Sequence, residues 1–345
     1  MQLKLSVLDQ SSVASGRGPD EALRETLALA RRAEGFGYHR YWLAEHHNSP
    51  AHAGSAPEIM IAAIAASTGR IRVGSAGVML PHYSALKVAE QFRVLEAIAP
   101  GRIDLGVGRA PGSDGRTAFA LNPNAAHAAD LFPQQIRDLL GWLGDGLPAD
   151  HPFRAVRACP EVPTRPEVWV LGSSDYGAQV AAYFGLPYCF AHFITDGVGA
   201  EEAMELYHRH FRPSPHLAAP YAAVAVFALA AATEAEAERL FLSRALWRIR
   251  RDRGLYTPLP SPEEAVAHPG SPEERARAAA LRAQALIGTG EGVARRLAAL
   301  AASLQAAEVA VLTPCHDPLA RIDSYRLLAE AAGLSAAGPQ RAAAE

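Results

Sequence analysis

Histidine and carboxylate side chains are concentrated in one short segment, AEHHNSPAH at positions 44–52. The segment follows an apolar run that predicts a strand, and it places Glu45 next to His46 and His47. Because imidazole titrates near neutral pH, this histidine pair could transfer protons in a reaction. The alternatives are a metal site that includes His52, or loop histidines with ordinary hydrogen bonds. We expect no metal, because adjacent side chains on extended backbone point in opposite directions and no second Cys/His cluster follows.

A second group of residues could bind an anion. The predicted fourth strand ends in Gly-Val-Gly at 106–108 and is followed by Arg109, whose guanidinium fork fits a phosphate. The fifth strand ends in the Gly-Ser-Ser turn at 172–174 and leads into a helix, whose free N–H groups favour negative charge. On neighbouring strands, these two features would converge on one anion. The alternatives are a surface salt bridge for the arginine and simple helix capping by Ser173 or Ser174.

Small residues mark a third cluster, GSAGVMLP at positions 74–81, in a predicted strand. The small residues Gly74, Ser75, Ala76 and Gly77 leave room for a flat ligand to lie against the backbone. The same run is equally typical of a β-bulge or of a crowded barrel interior.

These residues need a scaffold that brings strand ends together, and the rest of the sequence predicts one. Eight short runs alternate with helical patterns, and several runs are apolar at consecutive positions, as in strands buried on both faces. The alternation favours an α/β fold, the closed (β/α)8 TIM barrel, over an open doubly wound sheet. No GxGxxG motif follows the first run, which also counts against the open sheet. The predicted strands are Leu3–Leu8, Arg40–Ala44, Ile71–Val78, Ile103–Val107, Val168–Leu171, Tyr188–His192, Ala222–Leu229 and Glu308–Leu312.

Helix boundaries are also marked in the sequence. The first helix should begin at Pro19, a residue favoured in the first turn, and end near the Gly-Phe-Gly sequence at 35–37. Thr233 and Glu236 have the spacing of a capping box, which predicts a helix start after Thr233.

Two connections are too long for simple barrel loops. We expect them to be insertions after strand four, at about 108–131, and before strand eight, at about 254–290. Barrel active sites are built from loops that follow the strands, so the insertions could form lids or pocket walls. Flexible decoration is the alternative. Residues 1–334 would then form a single barrel domain, and the Ala/Gly/Pro-rich tail at 335–345 is predicted to be disordered.

Composition excludes several classes of protein. A net charge of −3 gives no electrostatic reason to expect nucleic acid as a partner. The three cysteines are far apart and form no CxxC pair, which indicates a reducing compartment. The first residues form no signal peptide, and the longest apolar run, 221–232, is shorter than the roughly 20 residues that a membrane span needs. We therefore expect a cytoplasmic protein without membrane contact.

Taken in order along the chain, these motifs resemble those of the bacterial-luciferase-like flavin-dependent monooxygenases. The matching segments are LKLSVLDQSS, AEHHN, GSAGVMLP, GRIDLGVGRAPGSD, LGSSDYGAQVAAYFGLPY and EVAVLTPCHDPLARIDSYRLLAE. The resemblance implies a barrel that binds FMN as FMNH2 and uses O2, through a C4a-(hydro)peroxyflavin, to oxygenate a small organic substrate. It also implies a separate NAD(P)H:flavin reductase that supplies FMNH2, and it is compatible with a homodimer.

The resemblance also assigns roles to individual residues. His46 aligns with the family's catalytic histidine and His47 with its neighbour, and the flavin ring would lie against Ala76–Gly77, where the family has a cis peptide bond. The resemblance implies that Arg109, Ser173 and Ser174 hold the phosphate of the cofactor. It implies that Leu171 and Gly172 bind the cofactor as well.

One departure from the family is informative. Gly108 stands where the family has a reactive cysteine, and an APGSD loop follows Arg109. The chain is therefore closer to the non-luminescent oxidoreductase branch.

Two other functions stay open at this point. An F420-dependent hydride-transfer oxidoreductase shares the barrel, but its polyanionic tail would favour several basic residues where the sequence offers Arg109 alone. A non-catalytic flavin-binding protein is the other, although it gives no reason for the Glu-His-His segment.

Overall fold

A computed structural model describes residues 3–335, so most of the tail predicted at 335–345 lies outside the described residues. The strands are β1 (Lys4–Asp9), β2 (Arg40–Leu43), β3 (Arg72–Met79), β4 (Ile103–Gly108), β5 (Glu167–Gly172), β6 (Tyr188–Phe190), β7 (Ala222–Ala230), β8 (Leu286–Gly288) and β9 (Glu308–Leu312). The helices are α1 (Pro19–Phe36), α2 (Pro57–Ser67), α3 (Ala85–Ile98), α4 (Gly115–Leu121), α5 (Ala125–Asp130), α6 (Phe132–Leu140), α7 (Asp175–Phe184), α8 (His192–Thr195), α9 (Ala200–His210), α10 (Glu234–Asp252), α11 (Pro262–Ala267), α12 (Pro272–Gln284), α13 (Gly290–Ser303) and α14 (Pro318–Ala331).

Eight of the strands form a closed parallel barrel. Strands β1 to β7 pair in sequence order, and β9 closes the ring by pairing with both β7 and β1. The predicted (β/α)8 TIM barrel is confirmed, and closure of the ring excludes the open sheet. The short strand β8 was not predicted; it pairs with the end of β7, Ala228–Ala230, beyond the part that pairs with β9. Three residues are too few to show a strand pattern in the sequence.

The insertions also lie where they were predicted, after the fourth barrel strand and before the eighth. Helices α4 and α5 fall within 108–131, and α11, α12 and β8 fall within 254–290. Among residues 3–335, no helix combines the length and apolar character that crossing a membrane requires.

Helix ends follow the local signals in the sequence. Helix α1 begins at Pro19 and ends at Phe36, where Gly37 adopts a left-handed φ of 89° that suits glycine. At α10, the Thr233 hydroxyl accepts a hydrogen bond from the backbone N–H of Glu236 at 3.2 Å. These two helices therefore begin at the predicted residues.

A buried charge network joins the amino ends of the barrel strands. Arg40 on β2 donates to Asp104 on β4 at 2.9 Å, to Glu308 on β9 at 3.0 Å and to Glu167 on β5 at 3.1 Å. Burial alone would lower the pKa of Arg40, but these three carboxylates raise it well above its ordinary value. Ser6 on β1 donates to Glu308, so the network reaches the strand that closes the ring.

Replacing Arg40 by methionine should therefore weaken the barrel. The variant leaves Glu308 buried without a cation, while Asp104 keeps Arg72, so we expect the free energy of unfolding to fall by about 3 kcal/mol in urea titrations. The matched control is Arg326→Met, which removes a surface cation paired with Asp323 and Glu330 and should change stability by less than about 1 kcal/mol. Equal effects of the two substitutions would contradict a structural role for the network.

Candidate active site

Two adjoining cavities lie at the carboxyl ends of the barrel strands. The smaller cavity has a volume of about 210 Å³ and the larger about 410 Å³. They share a wall formed by Ala76, Met79, Ala110, Phe193 and Ile194. A ligand in one cavity would therefore lie next to a ligand in the other.

The smaller cavity brings together all of the residues predicted to bind the cofactor. These are Ala76, Gly77, Arg109, Leu171, Gly172, Ser173 and Ser174. The guanidinium of Arg109 lies 3.9 Å from the centre of the Tyr176 ring on α7. Within residues 3–335, no carboxylate forms a salt bridge with Arg109, so the surface salt-bridge interpretation is not observed.

The amino end of α7 faces the same cavity. Ser174 is the residue before the helix, and its side chain forms no capping hydrogen bond, so capping does not account for this serine within the described residues. Gly172 and Gly177 allow strand and helix to approach closely: a Cβ on Gly177 would lie 3.3 Å from the Gly172 Cα. The cavity thus has a cation, serine hydroxyls and a helix amino terminus together, which is the chemistry of a phosphate site.

The glycine-rich part of β3 forms the wall between the cavities. The peptide bond between Ala76 and Gly77 is cis. A Cβ on Gly77 would lie 2.8 Å from the carbonyl oxygen of Gly106 and 2.9 Å from a methyl carbon of Leu171. The pairing of β3 with β4 also shifts register between Ser75 and Val78. The run is therefore both a crowded bulge and a cavity wall, and glycine is required at position 77 for lack of space.

A hydrogen-bonded carboxylate holds the segment that carries the two histidines. Buried Glu45 accepts from the Tyr83 hydroxyl at 2.7 Å and from the backbone N–H of Met79 at 3.1 Å. The same carboxylate lies 2.7 Å from His47 Nε2. His47 is therefore satisfied by a local hydrogen bond and has a fixed orientation.

His46 also lines the larger cavity, but it differs from His47 in having a nitrogen without a hydrogen-bond partner among the described residues. Its Nδ1 is buried and has no hydrogen-bond partner among the described residues. Its ring stacks on His52, with 4.2 Å between centroids and 13° between planes. Burial lowers the pKa of His46 to about 4, against an opposing effect of Glu45. His46 is thus a neutral imidazole at pH 7 that can still give or take a proton.

The metal interpretation finds no support in the described part of the chain. No group of three or more His, Cys, Asp or Glu side chains between residues 3 and 335 is arranged to hold a metal ion. His46 and His52 stack face to face and His47 is bonded to Glu45, so the three rings do not converge.

Several residues of the site were not predicted from the sequence. Tyr83 and Met79 bond to Glu45, while Phe193 and Trp247 line the larger cavity. Arg244 and two further arginines of α10 line it as well. One sequence signal could have identified these arginines. In the mostly apolar segment LFLSRALWRIR, Arg244 and Arg248 are four residues apart, which places both on the same, buried face of the helix.

The protein is a closed (β/α)8 barrel with a two-part cavity at the carboxyl ends of its strands, which is where barrel enzymes have their active sites. The model of the family "Luciferase-like monooxygenase" matches residues 1–307, and the chain belongs to this family of enzymes. The N-acetyl-S-alkylcysteine monooxygenase of Bacillus subtilis (strain 168) is 38% identical over 332 residues, which cover 95% of this chain and 98% of that protein.

Two solved structures are similar over almost their whole length. Apo-MsnO8 has a TM-score of 0.87 and 38% identity, covering 97% of this chain and 99% of that one. The oxygenating constituent of 3,6-diketocamphane monooxygenase from Pseudomonas putida, in complex with FMN, has a TM-score of 0.71. It is 18% identical to this chain and covers 97% of this chain and 99% of its own, so the similarity is one of fold.

The environment of His46 predicts a pH effect on stability. Its folded-state pKa of about 4 is below the unfolded value of about 6.5. The unfolded chain therefore binds the proton first, and the stabilisation is complete above about pH 6.5 and is lost as the pH falls towards 4. Between about pH 7.5 and pH 5, wild type should lose about 2 kcal/mol more stability than His46→Asn in urea unfolding. Exposed His127 provides the control, since His127→Asn should keep the wild-type response; an identical response of His46→Asn would contradict the assigned environment.

Proposed function

We propose that this enzyme binds reduced FMN in the smaller cavity and uses O2 to oxygenate a small organic substrate held in the larger cavity. One observation carries the proposal: the phosphate-type site around Arg109 and the histidine-lined cavity share the wall at Ala76. A cofactor anchored at one end would therefore present its reactive part to the second cavity.

The residues of the smaller cavity fit FMN chemically. Arg109, the Ser173 and Ser174 hydroxyls and the amino end of α7 match a phosphate dianion. The Ala76–Gly77 wall of this cavity has no large side chain, so a flat ring could lie against its backbone. The P. putida protein of the same fold was solved in complex with FMN, which supports this choice.

Reduced FMN, when bound, would supply the electrons that activate O2, and the protein supplies position and protons. Phe193 and Ile194 lie at the boundary of the two compartments, where apolar side chains would limit the access of water to a bound ligand. His46, which lines the larger cavity and is neutral at pH 7, would transfer a proton there. The bonds of Glu45 to His47 and Tyr83 would keep His46 in place.

The source of the reduced flavin is part of the proposal. The first strand is not followed by a dinucleotide-binding GxGxxG motif, which favours a separate NAD(P)H:flavin reductase as the supplier of FMNH2. The cytoplasmic location and the homodimer stay predictions from the sequence.

The charge of the smaller cavity favours FMN over F420. Among the described residues that line it, Arg109 is the one basic side chain, and a polyanionic tail would need more. The name of the B. subtilis relative, a monooxygenase of N-acetyl-S-alkylcysteine, supports oxygen transfer to a small organic molecule.

The phosphate assignment predicts that Arg109→Ala weakens FMN binding at least tenfold, about 1.4 kcal/mol, because a charge-assisted contact is lost. Fluorescence titration of FMN measures the change. Arg212→Ala is the matched control, since Arg212 also lies over a tyrosine of α7, Tyr183 at 4.8 Å, but outside the smaller cavity. Equal FMN affinities of the Arg109 variant and wild type would rule out the assignment.

The proton-transfer role predicts a kinetic defect in His46→Asn. The protein with reduced FMN is mixed with O2, and flavin reoxidation is followed by stopped-flow absorbance. Reoxidation should be about 100-fold slower in the variant, in line with the loss of general acid–base catalysis. FMN affinity should stay at the wild-type value, since His46 does not line the smaller cavity. The exposed His127→Asn variant is again the control. Unchanged reoxidation and hydrogen peroxide yield in His46→Asn would refute the role.

A further inference from the structure

Three arginines on one face of α10 line the larger cavity: Arg244, Arg248 and Arg251. Three cations so close together need partners, because a charge is costly to remove from water. The partners of each arginine decide which of the cations is available to a ligand.

Two of the three arginines are neutralised by carboxylates. Arg248 donates to both oxygens of Asp196 at 2.9 and 3.0 Å, and Arg251 donates to Asp252 at 3.2 Å. Arg277 from α12 donates to the same two aspartates at 2.9 Å. The aspartates are therefore already shared among three guanidinium groups.

Arg244 has no such partner. Its side chain is 5% exposed, and among residues 3–335 it forms no hydrogen bond and no salt bridge. Its guanidinium lies 3.8 Å from the centre of the Phe227 ring, a contact that leaves the N–H groups unused. Burial, and then the nearby Arg248, lower the pKa of Arg244 to about 9, so it is still charged at pH 7.

Two carboxylates of the described residues line the larger cavity, Glu45 and Asp114, and both accept hydrogen bonds from other groups. Glu45 is bonded to His47, Tyr83 and Met79. Asp114 accepts from Thr117 and from the backbone N–H of Arg116. Neither carboxylate forms a salt bridge with Arg244 among the described residues, so its guanidinium is a buried cation in this cavity with its N–H groups unpaired.

We propose that Arg244 is the binding residue for a carboxylate group of the substrate, which makes the substrate class an organic acid with an apolar or aromatic remainder. The remainder would lie against the stacked His46 and His52 rings and Trp247, 5.4 Å from His52. A guanidinium fork binds a carboxylate through two parallel hydrogen bonds. The assignment is distinct from the phosphate site, because Arg244 lines the larger cavity and Arg109 the smaller. It rests on the proposed function, in which the larger cavity holds the substrate.

The test compares two probes of the same size and shape, the anion 4-phenylbutanoate and its neutral amide, 4-phenylbutanamide, whose terminal groups differ in charge and in hydrogen-bond donors. Isothermal titration of each into the FMN-saturated protein should show the carboxylate binding at least tenfold more tightly. This preference should fall in the order wild type, Arg244→Lys, Arg244→Met, because lysine keeps the charge but not the fork. A carboxylate that binds wild type no more tightly than the amide would overturn the proposal, as would an undiminished preference in Arg244→Met.

Two controls make the outcome specific. Arg239→Met removes an exposed cation of the same helix, paired with Glu236 and Glu263, and should keep the full preference for the carboxylate. Thermal unfolding checks the fold, and Arg244→Met should not lower the Tm, because an uncompensated buried charge is removed. Loss of the preference in Arg239→Met as well would point to overall charge and overturn the assignment to Arg244.

The outcome is separable from the proposed function. FMN titration of wild type and Arg109→Ala tests the cofactor, whereas the two probes test the larger cavity also in the absence of FMN. A carboxylate preference without FMN binding would refute the proposed function alone. FMN binding without a carboxylate preference would refute this inference alone.

Discussion

The buried contact of Arg40 with Asp104 and Glu308 is the constraint on which the rest of the barrel depends. It joins the amino ends of β2, β4 and β9, while Trp42 donates to the second oxygen of Asp104 at 2.9 Å. Breaking such a network leaves buried charges without partners, so its geometry must be kept. Because the strands are parallel, holding their amino ends in order also determines which carboxyl ends become neighbours.

The two cavities follow from that order of strands. Arg109 follows β4 and Ser174 follows β5, so the phosphate-type site combines two adjacent strand ends. His46 follows β2, on the other side of β3, and therefore lines the second cavity. Ala76 on β3 lies between them and belongs to both. The close approach of β3 and β4 at Gly77 and Gly106 is what keeps this wall thin.

Desolvation is the common physical reason for the properties of the larger cavity. It lowers the pKa of His46 to about 4, which makes that imidazole neutral, and it lowers the pKa of Arg244 to about 9, at which the guanidinium is still charged and unpaired among the described residues. Neither arrangement favours stability, because burial of unpaired polar groups costs free energy. Groups of this kind are retained where they act on a ligand, which is consistent with the trade-off between stability and activity.

The sequence by itself determined the eight barrel strands, the start of α1 and α10, and the position of the predicted residues at strand ends. Those features depend on local patterns, the alternation of apolar runs with helices and the residues that begin or end a helix. The tertiary structure alone decided that Tyr83 and Met79 hold Glu45 and that Arg244 lies against Phe227. It also decided that, within residues 3–335, Ser174 does not cap α7 and no carboxylate pairs with Arg244. The bonds to Glu45 join residues more than 30 positions apart, and pKa shifts depend on burial by the whole fold, so no local pattern could reveal them.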